Sequence, residues 1–335
     1  MISEPLLITY HQLNSLVQAP ETMDILSDIL HRMQLAGTLY FRTAFTSPWG
    51  VKVPAFEDVA RFHFVHRGRC LLRVAGQENI ISLEQGDLII IPRGAAHSLF
   101  CDPSTEPDAL PLDEVLKASG FTGHGTLVYG GTEQHHECQL ICGHFAFNKQ
   151  ANHPLIQALP CHIHIKNYGE ITGQWMHAAL QVIGEETGSN KLGSDIVALK
   201  MSEIIFAQAL RIYLNSEGAH QPVLAGFANP KIAKVLQAIH ANPAHSWRIE
   251  ELSHIASMSR TSFISKFTDS LTMTPLGYIT HWRMQIARQL LVDTRRTIID
   301  IAEQVGYHSE ADFGRVFRKY FDIGPSGYRR LTLEE

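Results

Sequence analysis

The chain has no apolar run of 18 residues free of charge, so no segment reads as a membrane-crossing helix. Its start, MISEPLLITYHQLN, lacks the basic, then apolar, then small-residue pattern of a signal peptide. Five cysteines, at 70, 101, 138, 142 and 161, are odd in number, and a chain of 335 residues needs none of them as a staple. A reducing cytoplasm is therefore the expected compartment, with no membrane partner. Charged residues are also sparse, at 18% against 45% hydrophobic, with a net charge of −5, as in an ordinary globular protein. That net figure hides an asymmetry. Residues 1–228 carry 14 Lys+Arg against 22 Asp+Glu, a balance of −8, whereas residues 229–335 carry 14 against 11, a balance of +3. Only the C-terminal part suits a polyanion.

What the chain does contain is a repeat. Ser259, Phe263, Phe267, Pro275 and Tyr278 recur 50 residues later as Ser309, Phe313, Phe317, Pro325 and Tyr328. Repetition at a fixed spacing means two copies of one supersecondary unit. Each copy reads as an apolar helix, a tight turn opening on Ser, and a second helix with Phe at i and i+4. This is the pattern of a helix-turn-helix, here at 249–271 and 298–321, whose second helix enters the DNA major groove. With the phenylalanines facing inward, the first copy leaves Arg260, Thr261, Ser262, Ser265 and Lys266 outside. The second leaves Ser309, Glu310, Asp312, Arg315, Arg318 and Lys319. Arg and Lys bond guanine or neutralise phosphate, and Ser and Thr donate to phosphate oxygens. A helix over 275–292 joins the two units. Before the turns the spacing falls to 49, as between Leu252 and Ile301, so the second turn is one residue longer.

Upstream, RFHFVH, CLLRV, NIISL and DLIIIP are short strand-like runs punctuated by Gly68, Gly76, Gly86 and Gly94, the signature of a β-barrel or sandwich. A change to helical composition follows residue 168. The stretch 169–215 reads as a helical hairpin whose second member, with ALKMSEIIFAQALRIYL, is apolar on more than one side and is a candidate dimer interface. NSEGAHQPVLAGFAN then reads as a linker over 216–228, and Asn229-Pro230 opens the next helix. The chain thus divides into a β-rich domain at 1–168, the hairpin, the linker, and an all-α domain at 229–332.

The run ELSHIASMSRTSFISKFTDSLTMTPLGYITHWRMQIARQLL, with IIDIAEQVGYHSEADFGRVFRKYFDIGPSGYRR, resembles the DNA-binding domain of the AraC family of transcription regulators. The resemblance implies two helix-turn-helix motifs on a linking helix, reading adjacent major-groove segments of promoter DNA, often as a homodimer. It carries residues 260–266 and 309–319 over as recognition helices. RNA polymerase is a further partner if the chain is an activator. The segment GDLIIIPRGAAH fits the cupin pattern G-x5-P-x-G-x2-H, and FHFVHRGRC is similar to the cupin variant that such regulators use to sense effectors. The implied class is α+β and multidomain, a cupin-like β-barrel with a helical hairpin before an all-α double helix-turn-helix domain. The effector is left unknown.

A cupin enzyme needs several convergent ligands. His63 and His66, at i and i+3, point to opposite faces of a strand, which leaves His63 and His97 as inward candidates. Cys142 and His144 share a strand face and, with His63 or His97, are the types that zinc or another divalent ion takes. Against this stands the reading of Cys138 and Cys142 as small buried hydrophobes, with no cofactor required. His136 and Cys138 share the even spacing of Cys142 and His144, but the four lie too far apart along a strand to bind one ion together, and His162 and His164 raise the same question. Three functions follow: a DNA-binding regulator and no enzyme, a metal-dependent cupin enzyme with an accessory helical domain, or an adaptor that has lost DNA binding. The basic Arg315, Arg318 and Lys319 weigh against the adaptor.

Overall fold

The computed structural model of the protein describes residues 24–32, 36–56, 59–123, 125–131, 138–146, 153–166, 170–186, 191–216, 224, 226–227, 229–293 and 295–334. It begins with helix α1 (Ile25–Arg32), an element absent from the sequence-based division although Ile25, Ile29 and Leu30 recur at helical spacing and are buried. Strands β1 (Ala36–Thr46), β2 (Gly50–Val53), β3 (Val59–Arg67), β4 (Arg69–Val74), β5 (Ile81–Glu84), β6 (Leu88–Ile91), β7 (His97–Phe100) and β8 (Leu110–Pro111) follow. Helix α2 (Leu112–Ala118), strands β9 (Thr126–Gly130) and β10 (Gln139–Ala146), helix α3 (Pro154–Gln157) and strand β11 (Ile163–Ile165) complete the β-rich part.

The strands form two separate ladders among the described residues. One sheet runs β11-β6-β3-β10-β1-β9 and the other β5-β4-β7-β2-β8. The cupin-like α+β class stands, and of the barrel and the sandwich that strand spacing allows, the ladders form two facing sheets and not the closed barrel that the resemblance implies. The reason lies in the central strands, which bury both faces. In β6 Leu88 and Ile90 turn to one side with Phe62, Phe64, Ile141 and Phe145, while Ile89 and Ile91 turn to the other with Val65, Leu140 and Cys142. An unbroken apolar run is what a strand covered on both sides requires. The second sheet closes the latter core with Val51, Val53, Leu72, Val74 and Leu99.

Helices cover the other face. The hairpin is α4 (Glu170–Glu186) and α5 (Ser194–Asn215). Ile205, Phe206, Ala209, Leu210 and Tyr213 of α5 are buried, and Phe206 packs on Phe145 with ring centroids 4.4 Å apart. Ile196, Val197 and Ile204 of the same helix are exposed at 53%, 43% and 49%. The helix is therefore apolar on a second side that no described residue of the monomer covers.

The C-terminal part contains α6 (Pro230–Ala241), α7 (Ile249–Ile255), α8 (Arg260–Leu271), α9 (Pro275–Asp293), α10 (Ile298–Gln304), α11 (Glu310–Phe321) and α12 (Pro325–Glu334). The repeat extends to local detail. Ser259 and Ser309 cap α8 and α11, each accepting from a backbone N–H at 3.3 Å. Thr272 and Asp322 end those helices in the left-handed conformation. Phe267 meets Tyr278, and Phe317 meets Tyr328, edge to face at 5.9 and 5.6 Å. The turns differ as the change of spacing required. The first passes through Ser257 at φ 50° and the second through Gly306 at φ 82°.

The core that begins on the helical face of the large sheet continues without a break through Leu224 and Phe227 into Ile232, Leu236, Phe263 and Trp282. Most of the linker expected at 216–228 lies outside the described residues. Leu224 and Phe227 are buried, and a Cβ on Gly226 would lie 2.3 Å from the Cβ of Ser270.

Gly306 is a position where this packing is unforgiving. A Cβ there would lie 2.6 Å from the carbonyl oxygen of Ala244, and the positive φ disfavours any other residue. Gly306→Ala should lower the urea-derived unfolding free energy by more than about 1 kcal/mol. An unchanged midpoint would remove this turn from the determinants of the C-terminal fold.

Candidate functional site

Both outward faces of the repeat are presented as the sequence pattern required. Arg260, Thr261, Ser262, Ser265 and Lys266 are exposed on α8, and Glu310, Asp312, Arg315, Arg318 and Lys319 are exposed on α11, with Ser309 half-buried as its cap. Burial of Phe263, Phe267, Phe313 and Phe317 at 0% exposure fixes the rotation of each helix and hence which side chains face out. Some of these groups are already engaged. Arg260 pairs with Glu250 of α7 at 2.9 Å, Ser265 donates to Asp269 at 3.2 Å, and Arg315 is hydrogen-bonded to Asp312 one turn before it. Exposed pairs of this kind are worth at most about 1 kcal/mol and are easily exchanged for phosphate contacts. The acidic Asp312 therefore acts on α11 chiefly by occupying Arg315.

Arg283, which no sequence motif singles out, holds the two units in register. From α9 it donates through Nε to Pro243 O at 2.7 Å and through Nη2 to His245 O at 2.9 Å, and its guanidinium lies 5.7 Å from the centre of the Tyr307 ring. It thus joins the loop after α6 to the turn before α11.

In the β-rich domain three of the four candidate metal-binding side chains meet. His63 of β3 and Cys142 of β10 are directly paired in the ladder, with Sγ 3.1 Å from Nδ1, and Nε2 of His63 is 2.8 Å from Nε2 of His97. His97 Nδ1 lies 2.8 Å from Ala95 O. A carbonyl can only accept, so Nδ1 of His97 carries its proton and Nε2 its lone pair. His63 then donates from Nε2, and its Nδ1 accepts from the Cys142 thiol. The result is a neutral chain, Cys142 to His63 to His97 to Ala95, in which each hydrogen has one acceptor. Burial holds His97 down at about 4 and His63 well below the usual imidazole range, helped in each case by the Arg61 charge and for His63 by His97; burial pushes the Cys142 thiol up.

This arrangement does not fit one metal ion. The donors lie in a line, with His63 spending its two nitrogens on different neighbours, and among the described residues no three His, Cys, Asp or Glu side chains converge. His144 stands apart, opposite Arg61 in the ladder and half-buried. His66, on the other face of β3, lies beside Phe64. Cys138 is 1% exposed and belongs to the core between the sheets. His136 falls outside the described residues. What the chain of side chains does border is space. His63 and Cys142 line an internal cavity of about 30 Å³ with Phe41, Val51, Leu99 and Leu127, and Arg61 and Thr43 are among its polar walls. His97 lines an outer cleft of about 350 Å³ that also presents Lys52, Arg73 and Ser98.

Comparison with known proteins places both halves. Residues 24–215 match a cupin family model, and residues 252–331 match a helix-turn-helix domain model. An AraC-like transcription regulator from Streptomyces lividans is 30% identical over 92% of this chain and 98% of its own length. The chain belongs to the AraC family of transcription regulators. Another relative is the regulator AlkR of Acinetobacter baylyi, 28% identical over 92% of this chain and all of its own. Among solved structures, a DNA-binding transcriptional dual regulator from Escherichia coli K-12 is 29% identical, covering 31% of this chain and 92% of that one with a TM-score of 0.29. Its C-terminal domain is a DNA-binding helix-turn-helix unit, and its N-terminal domain is a cupin. Among the described residues no helix is long and apolar enough to cross a membrane.

The neutral histidine chain has a consequence for stability. A histidine at about 4 when folded and 6.5 when unfolded is protonated only in the unfolded state across that interval. Its burial is therefore unpenalised above pH 6.5 and costs progressively more as pH falls towards 4, by about 3 kcal/mol in total. Urea titrations of the wild type between pH 7 and 4 should show a steeper loss of stability than those of His97→Gln. Parallel curves would mean that His97 is not held neutral.

Proposed function

We propose that this AraC-family protein binds promoter DNA by placing α8 and α11 in successive major-groove segments, and that its cupin domain takes up a small effector. The observation that supports the reading best is the pair of serine-capped helices, rotated alike by buried phenylalanines and mounted on the single helix α9. On this reading Arg260, Lys266, Arg315, Arg318 and Lys319 contact bases or phosphates. Thr261, Ser262, Ser265 and Ser309 donate to phosphate oxygens, and Glu310 and Asp312 limit base readout by the second helix. The mostly apolar inner cavity favours a small, largely apolar effector with one polar group for Arg61. At its present volume the cavity admits such a molecule only if the two sheets move apart.

The same reading includes a homodimer. On α5 Val197 and Ile204 are one heptad apart and exposed, as are Trp175 and Val182 on α4. Two exposed apolar seams on neighbouring helices suit a second copy of the hairpin. RNA polymerase would be the further partner of an activator, and the cytoplasm the compartment. The relatives are regulators, and the cupin-enzyme alternative is not favoured.

Selection from random duplexes at a stated salt concentration, followed by fluorescence anisotropy, tests the DNA reading. Arg315→Ala should weaken binding to the selected site by about 1–3 kcal/mol with altered base preference if it reads a base, whereas Lys319→Ala on phosphate should weaken all duplexes alike with a shallower salt slope. A wild type without sequence preference at physiological salt would end the proposal. In sedimentation experiments Val197→Glu with Ile204→Glu should convert dimer to monomer, and an unchanged dimer would exclude this seam.

A further inference from the structure

Four side chains from both domains meet at a buried contact that none of the functions above uses. Asp28 lies on α1, and His153 caps α3; both belong to the cupin domain. His240 lies on α6 and Tyr278 on α9, in the DNA-binding domain. His153 Nδ1 accepts from the backbone N–H of Leu155 at 3.1 Å, so its proton is on Nε2, which is 3.3 Å from the Tyr278 hydroxyl. That hydroxyl accepts from His153 and lies 2.8 Å from His240 Nε2. His240 Nδ1 lies 2.8 Å from a carboxylate oxygen of Asp28. Its ring is stacked on Trp282 at 3.7 Å and 9°.

We propose that the line Asp28, His240, Tyr278, His153 is a latch by which the cupin domain holds α9, the helix that carries both DNA-reading units. Tyr278 is the repeat tyrosine. Its ring serves the first unit by packing on Phe267, and its hydroxyl serves the contact between domains. The latch shares a strand and a core with the inner cavity. Cys142 and Gly143 of β10 line that cavity, and Ile141 and Phe145 of the same strand belong to the core that also holds Leu155 and Tyr278. Displacement of β10 by a molecule in the cavity therefore reaches α9 through packed side chains. The device is all-or-none, because removal of one member leaves the next buried polar group without its partner. The coupling role rests on the DNA-binding reading, whereas the latch itself is a statement about how two domains are held.

Hydrogen exchange of the full-length protein, read by mass spectrometry, tests it. Tyr278→Phe removes only the hydroxyl. Exchange of α1 amides, at 25–32, should quicken at least about tenfold, since a helix opens locally more often once its anchoring hydrogen bonds are gone. Those of β3 and α11 should exchange as in the wild type. Asp28→Asn, at the partly accessible end of the line, should give the same pattern, and the double variant should go no further than the stronger single one. Unchanged exchange of α1 in either single variant overturns the latch, as does a double variant whose effect is the product of the two. Anisotropy on the selected duplex adds the functional arm, where Tyr278→Phe should shift affinity severalfold. An affinity identical to the wild type, with α1 loosened, would overturn the coupling role. Failure of the wild type to bind any duplex selectively would defeat the DNA reading and leave the exchange result to decide the latch.

Discussion

The large sheet has to bury both of its faces, and the rest of the molecule is arranged around that requirement. Its inner strands alternate apolar residues between two cores, so one face needs a second sheet and the other needs helices. The first demand encloses the cavity with its neutral line of Cys142, His63 and His97. The second recruits α1, α3 and the α4–α5 hairpin, and the core they form runs on into the DNA-binding domain. Two domains that share a core are not beads on a string. Leu224 and Phe227, in the segment between them, are core residues, so the orientation of one domain depends on packing made by the other.

In the C-terminal domain the constraint is repetition on an apolar scaffold. Cap, phenylalanine pair, left-handed helix end, proline and tyrosine recur because each is needed to fix one helix against its neighbour. The exposed positions carry no such obligation and have diverged, hydroxyl-rich on α8 and mixed in sign on α11. Arg283 shows how far the two units are made one body. Its donors go to carbonyls beyond α6, while its guanidinium lies near the Tyr307 ring in the second turn.

Legibility from sequence followed periodicity. The helices of the repeat, their caps and their outward side chains were readable because buried phenylalanine at i and i+4 leaves little freedom in rotation. The pairing of His63 with His97 and Cys142 was half readable. Strand parity placed His63 inward and the cupin pattern singled out His97, but only three-dimensional register shows that they form a line and that His144 stands apart. Sheet closure was not readable, since short strands at even spacing serve a sandwich as well as a barrel. The contact between Asp28, His153, His240 and Tyr278 left no local mark at all. Its members come from four elements spread along the chain, and each has an ordinary local role, as helix residue, cap or core aromatic.

The chemistry of the two buried lines points to a common design. Each contains two histidines, one of which has its tautomer fixed by a backbone group, a carbonyl at Ala95 and an N–H at Leu155. The line in the cupin domain satisfies its buried donors without placing a charge in the interior, which avoids most of the desolvation cost that an ion pair there would carry, whereas the line between the domains ends on the Asp28 carboxylate. A neutral line is worth little net stability, because each bond replaces one to water, yet it is costly to leave half-made. That combination suits an element that must hold one geometry firmly and still be released by a modest input. The exposed faces of α8 and α11 follow the opposite rule. Their charges are hydrated and loosely paired, so they can be exchanged for phosphate at small cost. The molecule keeps its specific, directional polar contacts inside, where they set domain position, and its exchangeable charges outside, where a polyanion can reach them.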